Sequence, residues 1–291
     1  MSTAPRTTTS SGATPAASRP GGTAPRDTGG RTGLVARTAV VQLRASFRDA
    51  EFAVGAVAVP VLLYAMFGLP SASSQLPGGT RVGLAMLVSL TAYGVVSLAL
   101  FTFGENVAKD RGRGWLRTLR ATPFPTAAYL GGTSLTAAVH ALLIVAGTGL
   151  LAALAGGVRL DVGRWAAFAG IMTAGVLVFS TLGFAIAYLA RPRAATVMAN
   201  LLFLPLAFAS GFFFPLSELP AVIGDVAPYL PTFHFGQLAY RAVMPASDVA
   251  VFTGAATQPV ALHVAWVVGS AVLLGAVALL AARREAVTRR G

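Results

Sequence analysis

Basic residues crowd into the connection 105–124, where their type and spacing suit an interaction better than a reaction. They fall within twelve positions and are Lys109, Arg111, Arg113, Arg117 and Arg120. The segments on either side, 82–104 and 129–155, carry no Asp, Glu, Lys or Arg. A cationic connection so placed must lie in water beside a membrane. Two interpretations stay open: it docks a partner, or it only fixes the topology of the chain.

The same connection predicts a turn followed by a short helix. Gly112 and Gly114 permit a sharp turn, and Pro123 ends the run that follows. Between them, basic residues recur at the i, i+4, i+7 spacing of one helix face, and apolar residues occupy another. The basic face holds Arg113, Arg117 and Arg120, and the apolar residues are Trp115, Leu116 and Leu119.

Motifs for catalysis, nucleotide binding and metal binding are missing from the sequence. The only lysine, Lys109, lacks the glycine spacing of a Walker A motif, and there is neither a Gly-x-Ser-x-Gly nor a His-Glu-x-x-His pattern. His140, His234 and His263 are too scattered for metal-ligand spacing. We therefore expect no cofactor on this chain and no enzymatic activity of its own. For His140 and His263 we expect packing or polar-contact roles, because no apolar segment supplies a carboxylate partner.

Composition indicates an all-α membrane protein. The chain is 55% hydrophobic and 11% charged, with a mean hydropathy of +0.70. Its basic residues flank apolar runs rather than forming one stripe, which argues against a nucleic-acid partner. Six segments of at least 18 residues can each cross a hydrocarbon core of roughly 30 Å as a helix. They are 52–69, 82–104, 129–155, 166–190, 197–214 and 260–282.

The distribution of positive charge predicts the orientation of these six spans. Eighteen of the 22 Lys and Arg residues lie in the two tails and in the connections 105–128 and 191–196. The other connections hold four. Positive charge marks the cytoplasmic side, so we expect both termini in the cytoplasm.

The predicted organisation has four parts. Residues 1–33 are rich in Ser, Thr, Pro and Gly, which predicts a disordered cytoplasmic tail. We expect residues 34–51 to form an amphipathic helix, which either lies along the lipid surface with its arginines at the headgroups or is an ordinary leader that faces solvent. The six-span domain covers 52–282, and 283–291 is a basic cytoplasmic tail.

The outer connection 215–259 and the span before it are irregular. Two part-apolar pieces, 216–226 and 232–243, are too short to span, so we expect a short re-entrant or interfacial hairpin. Pro205 inside the fifth span should kink it. Asn200, the most polar residue of the spans, suits either a transport pathway or one interhelical hydrogen bond.

Two stretches resemble the ABC-2 type permease subunits of ATP-binding cassette exporters. The first matches the family's first cytoplasmic loop and consists of Asp110-Arg111, Gly114, Leu116, Leu119 and Ala121-Thr122-Pro123. The second matches its fifth helix and outer hairpin and consists of Asn200, Pro205, Ser210-Gly211, Phe214-Pro215, Leu219-Pro220, Pro228, Leu230-Pro231, His234 and Gln237-Leu238.

The resemblance implies a role for each stretch. The coupling helix between helices 2 and 3, which fits a groove on the ATPase, would comprise Asp110, Arg111, Arg113, Gly114, Trp115, Leu116, Arg117, Leu119, Arg120 and Pro123. Helices one, two and five would line a pathway at a dimer interface, with Asn200, Pro205, Ser210, Gly211, Phe213 and Phe214. The outer hairpin would contain Pro215, Pro220, Pro228, Pro231, His234 and Gln237.

The resemblance also implies partners and cargo. ATP and Mg would bind a separate cytoplasmic ATPase subunit, and a second permease subunit would complete a homodimer or heterodimer in the bacterial inner membrane. The loop pattern is most similar to drug and antibiotic efflux permeases of the daunorubicin-resistance kind, whose cargo is a small amphiphile. Polysaccharide and lipid-linked glycan exporters share the fold. An ion-coupled carrier and a membrane-embedded enzyme are the alternatives from other classes.

Overall fold

The computed structural model describes residues 28–48, 54–115, 118 and 121–288. The longer elements in these ranges are all helical. The described residues also contain one isolated antiparallel β-bridge, between Gln75 and Arg81. Four of the helices formed by the described residues lie within the first half of the chain. They are α1 (Thr28–Arg48), α2 (π-helical Val54–Ala58, α-helical Val59–Leu63 and π-helical Tyr64–Gly68), α3 (Val82–Ala99, continued by π-helical Leu100–Asn106 and by Val107–Gly112) and α4 (Thr126–Leu154).

Six further helices lie in the rest of the described residues. They are α5 (Val162–Leu189), α6 (Ala195–Ala209), α7 (Ala221–Val226), α8 (Pro231–Val243), α9 (Ala246–Thr253) and α10 (Val260–Thr288). Short 3-10 turns, Leu216–Glu218 and Ala227–Tyr229, flank α7.

The apolar helices confirm an all-helical membrane protein. In the described ranges, α3, α4, α5 and α10 are long and apolar enough to cross a membrane, whereas α2 and α6 are apolar but shorter. The helix within the predicted fifth span, 197–214, ends at Ala209, five residues before the end of that segment. Helix α6 stops at Ala209 because Gly211 adopts the left-handed conformation, with φ of 74°. Six membrane crossings remain a prediction.

Helix α3 is the centre of the bundle. In its most apolar stretch 78% of the residues are buried, against 11% for α10. Helix α3 is apolar on all sides, so it is buried by α2, α4, α5 and α8. Helix α10 packs on α5 and α8 from the periphery and leaves most of its apolar surface uncovered.

Helix α1 differs from the predicted helix 34–51 in extent, and its direction relative to the membrane remains a prediction. It begins at Thr28, inside the predicted disordered tail, and residues 49–51 lie outside the described part of the chain. A Cβ built on Gly131 would touch Val35, and Ser46 contacts His140, so α1 runs alongside α4 rather than across it.

The outward surface of α1 is partly apolar and partly basic, as the amphipathic pattern predicted. Its large apolar residues Val40, Val41 and Phe47 are exposed. Arg37, Arg44 and Arg48 are exposed as well.

The connection 215–259 is more ordered than predicted. The first expected piece, 216–226, is broken into a 3-10 turn and α7. The second is α8, which is buried against α3, α5 and α10 rather than lying at a surface. Helix α9 has no counterpart among the predicted elements.

Candidate functional site

The predicted turn in the basic connection is present. Helix α3 ends where the Arg113 N–H donates to the Lys109 carbonyl, and Gly114 follows with φ of 77°. Only a residue without a side chain adopts this left-handed conformation without strain. Beyond the turn, Trp115 and Thr118 are helical, and the exposed Trp115 is 48% accessible. The predicted coupling residues Leu116, Arg117, Leu119 and Arg120 lie outside the described residues, and Pro123 lies in an exposed bend.

Asp110 and Arg111 anchor this connection to neighbouring helices. The Tyr129 hydroxyl of α4 donates to Asp110 Oδ2 at 2.7 Å. The Arg111 guanidinium lies over the Tyr188 ring of α5, 5.1 Å from its centroid, and donates to the Ala190 carbonyl at 3.5 Å. The acidic-Arg pair thus positions the connection on α4 and α5.

The basic connection also touches the connection between α5 and α6. A Cβ built on Gly112 would lie 2.9 Å from Pro192 Cβ, so the two chain segments meet where Gly112 has no side chain. Between them lies an open groove of about 1030 Å³. Its basic residues are all exposed and are Lys109, Arg113, Arg191 and Arg193.

This groove is an electropositive surface suited to an acidic partner. Glu105 pairs with Lys109, and Asp110 accepts from Tyr129. Arg191 and Arg193 were absent from the predicted site. The available signal was two arginines within a short connection between apolar segments, which the sequence analysis used only for topology.

The predicted pathway residues separate into two groups. Asn200 and Pro205 are exposed on α6, and the Asn200 Nδ2 donates to the Thr196 carbonyl of its own helix at 2.9 Å. Phe214 is 43% exposed. Ser210 and Gly211, in contrast, are buried.

Ser210 makes a buried contact within the subunit, and its pathway role remains a prediction. The Ser210 Oγ lies 2.5 Å from Thr232 Oγ1 of α8, so it holds α6 and α8 together. Phe213 is half-buried, with its ring centroid 4.9 Å from that of Tyr93 on α3. Helix α3, the predicted second pathway helix, is itself mostly buried in this subunit.

The outer-hairpin residues are brought together around α8. Pro220 and Pro231 immediately precede or begin helices, as their fixed φ favours, and Pro215 precedes a 3-10 turn. The Gln237 Nε2 donates to Thr253 Oγ1 of α9 at 3.2 Å. The His234 Nε2 donates to the Pro228 carbonyl at 2.8 Å.

His234 also meets His263 of α10, which the sequence analysis had not placed at this site. Burial lowers the pKa of His234 below its usual range, while the hydrogen bond to Pro228 opposes the shift. The two histidines are 29 residues apart in the sequence, a spacing that matches no motif, so no sequence signal could have paired them.

The apolar helices and the basic connections define a polytopic integral membrane protein. Its only lysine, Lys109, is not part of a nucleotide-binding motif. Residues 38–244 match the ABC-2 type transporter family, and the chain belongs to that family. It is therefore a membrane subunit of an ABC transporter, which pairs with a cytoplasmic ATPase carried on a separate subunit. The resemblance seen in the two motifs is confirmed at the level of the family.

A protein of Bacillus subtilis (strain 168) is similar over most of its length. It bears the name "Putative transport permease YvfS" and is 23% identical over 210 residues, which cover 72% of this chain and 85% of the relative.

Proposed function

We propose that this chain is the permease subunit of an ABC exporter that moves a small amphiphile, such as a drug, an antibiotic or a lipid-like molecule, out of the cell. ATP would be hydrolysed on the partner ATPase. The ABC-2 family match and the relative named as a transport permease support the transport role. The similarity of the loop motif to drug-efflux permeases supports the cargo class. Export of a polysaccharide or lipid-linked glycan is the alternative within the same family.

One observation carries the coupling part of the proposal: the two basic connections form a single mechanical unit. Arg111 fixes the end of α3 to α5 through Tyr188 and Ala190, and Gly112 contacts Pro192 at the start of α6. An ATPase that presses on the helix around Trp115 would therefore displace α3, α5 and α6 together. Packed helices transmit such a displacement because their interfaces resist compression.

The pathway is proposed to lie where two subunits meet. Helix α6 presents a continuous apolar surface whose most exposed members are Val197, Leu201 and Leu204. Leu62 and Met66 of α2 are exposed as well. A second copy or a related permease would cover these surfaces, and Asn200 would be the polar group among them. An apolar lining of this kind suits an amphiphile taken from the bilayer.

Six spans with both termini in the cytoplasm complete the proposal. Helix α6 has 15 residues and would rise about 22 Å at 1.5 Å per residue. This is less than the roughly 30 Å of a hydrocarbon core, so the segment 210–215 would complete the crossing. The charge distribution supports a location of the basic groove at the inner membrane surface.

Charge reversal tests the coupling surface. Arg117→Glu with Arg120→Glu should abolish transport and ATPase co-purification while membrane insertion is retained, because the partner would meet repulsion at its docking helix. Arg159→Glu with Arg164→Glu, which makes the same charge change on the connection between α4 and α5, is the matched control. Retention of both transport and co-purification would show that the coupling assignment is wrong. Transport by the purified chain under an ion gradient without ATP would favour the carrier instead.

A further inference from the structure

A polar cavity of about 300 Å³ lies between α1, the end of α3 and the first half of α4. It opens beside the basic connection, where Lys109 and Arg113 line it, and extends inward to Thr102 and His140. It is separate from the groove between the two basic connections, although Lys109 and Arg113 border both. Neither the coupling role nor the pathway assigns a task to its inner part.

The wall that α1 and α4 share is already hydrogen-bonded. The Gln42 Nε2 donates to Thr133 Oγ1 at 3.1 Å, and Thr136 Oγ1 donates to Gln42 Oε1 at 3.2 Å. The Ser46 hydroxyl lies 3.1 Å from His140 Nε2. These bonds hold the polar groups in place, so the cavity is a preformed site rather than a gap between loosely packed helices.

Thr102 on the opposite wall breaks the pattern that other threonines follow. Thr133, Thr148 and Thr173 each donate to the carbonyl four residues earlier in their own helix. Thr102 lies in the π-helical segment Leu100–Asn106, whose hydrogen-bond register differs from that of an α-helix. Its Oγ1 is buried and finds no hydrogen-bond partner among the described residues, and the residue is only 8% exposed. A buried hydroxyl without a partner is costly, and a bound acceptor would remove that cost.

Charge at the opening favours an anionic ligand. Lys109 pairs with Glu105, and Asp110 keeps its negative charge while it accepts from the Tyr129 hydroxyl, but the connection 105–124 carries five basic residues against these two acidic ones. Arg113 has no carboxylate partner within the described ranges and is exposed at the opening. A guanidinium in this position matches the geometry of a phosphate.

The surroundings favour a lipid as the source of that phosphate. The outer side of α1 exposes Val40, Val41 and Phe47 together with three arginines. Such a surface buries its apolar residues at the headgroup boundary and attracts anionic lipids. A lipid lying against α1 would bring its headgroup to the opening of the cavity.

We propose that this cavity binds the polar end of an anionic phospholipid, with the phosphate on Arg113 and Lys109 and an ester carbonyl of the glycerol backbone, which lies nearer the membrane centre, on Thr102. Phosphatidylglycerol combines a phosphodiester of net negative charge with such ester carbonyls. The assignment rests on the proposed orientation, in which the basic connection faces the inner leaflet. The lipid would join α1 to α3 and α4, next to the connection that the ATPase presses.

Lipid retention by the purified full-length chain tests the site. Native mass spectrometry after delipidation and addition of either phosphatidylglycerol or phosphatidylcholine should show selective retention of phosphatidylglycerol. Thr102→Val removes one hydrogen bond and should weaken that retention about threefold to tenfold. Arg113→Gln should weaken it further because its bond to the phosphate is charge-assisted. Thr173→Val is the matched control, because that hydroxyl bonds only within α5.

Two further measurements distinguish the lipid site from a structural role of Thr102 and from a site for soluble phosphate. Without lipid, Thr102→Val should unfold at the same temperature as the parent chain or higher, because it deletes an unpartnered hydroxyl. Equal retention of both lipids, or full retention by Thr102→Val, would overturn the proposal. Equal stabilisation by glycerol 3-phosphate alone would assign the cavity to a soluble phosphate and overturn the lipid assignment. Since no ATPase is present in these measurements, a negative result leaves the export proposal untouched.

Discussion

The Nδ1 atoms of His234 and His263 lie 2.7 Å apart in the buried contact between α8 and α10. The His234 Nε2 faces the Pro228 carbonyl, which only accepts, so this nitrogen carries the proton and the Nδ1 is the acceptor. His263 must then donate from its own Nδ1. The indole of Trp266 stacks on His234 with ring centroids 5.2 Å apart and completes the contact. These two hydrogen bonds thereby fix one tautomer of each neutral ring.

Removing the His263 N–H donor should destabilise the protein more than replacing it with another donor. His263→Leu leaves the buried His234 Nδ1 without a donor, and we expect a loss of about 1–3 kcal/mol in unfolding free energy. His263→Asn, whose amide nitrogen can reach the position of the Nδ1, should recover part of that loss. Thermal unfolding in detergent measures both. In a double-mutant cycle with His234→Leu, a coupling energy near zero would contradict the hydrogen bond.

The lowered pKa of His234 predicts a loss of stability in mild acid. The folded state holds the imidazole neutral because it is buried, whereas the unfolded chain binds a proton near pH 6.5. The unfolded state therefore binds more protons below that pH, and stability falls as the pH is lowered from about 7 towards 5. Unfolding midpoints of the parent chain and of His234→Leu across this range give the slope. The same slope in both proteins would rule out His234 as its source.

Asp248 joins α9 to the connection between α2 and α3. Its carboxylate accepts from the Gly78 N–H at 2.7 Å and from the Thr80 N–H at 3.0 Å, and the residue is 1% exposed. Asp248→Asn places an amide donor opposite one of these donors, so we expect a loss of about 1–3 kcal/mol in stability. Thermal unfolding in detergent measures this loss. Asp225→Asn, at an exposed position, should have little effect.

The same carboxylate predicts a second acid transition. The hydrogen bonds from Thr80 hold the pKa of Asp248 below its usual range, and the bond from Gly78 adds to this, against the opposing effect of burial. A lowered folded pKa contributes stability that is present above the unfolded value, about 3.9, and is lost as the pH falls through the folded value. Below pH 4 the difference between the parent chain and Asp248→Asn should therefore shrink. A constant difference down to pH 2 would refute this linkage.

Gly132 permits the close contact between α1 and α4. A Cβ at this position would lie 2.6 Å from Thr38 Cγ2 and 3.2 Å from the Ala39 backbone nitrogen. Gly132→Val should push α1 away and increase tryptic cleavage at Arg44. Gly170→Val in α5, where a Cβ would meet nothing within 4 Å, is the control. Unchanged protection of Arg44 would show that the two helices do not depend on this contact.

The sequence predicted the features that depend on local chemistry. Apolar runs became helices, the glycines of the basic connection became a turn at Gly114, and Pro231 begins α8. The ABC-2 family followed from motifs that are contiguous in the chain. Each of these conclusions needs only neighbouring residues, because backbone hydrogen bonding and conformational preference act over a few positions.

Tertiary packing decided which residues form the sites. The contacts between His234 and His263, Ser210 and Thr232, and Asp248 and Gly78 join positions that no periodicity relates. Tertiary packing also buried α3 and α8 and brought α1 into contact with α4. By itself the sequence determined a basic, helical membrane protein of one transporter family. Its polar contacts were decided by the order and angles in which apolar helices pack, and helices of similar composition can pack in many ways until their side chains interlock.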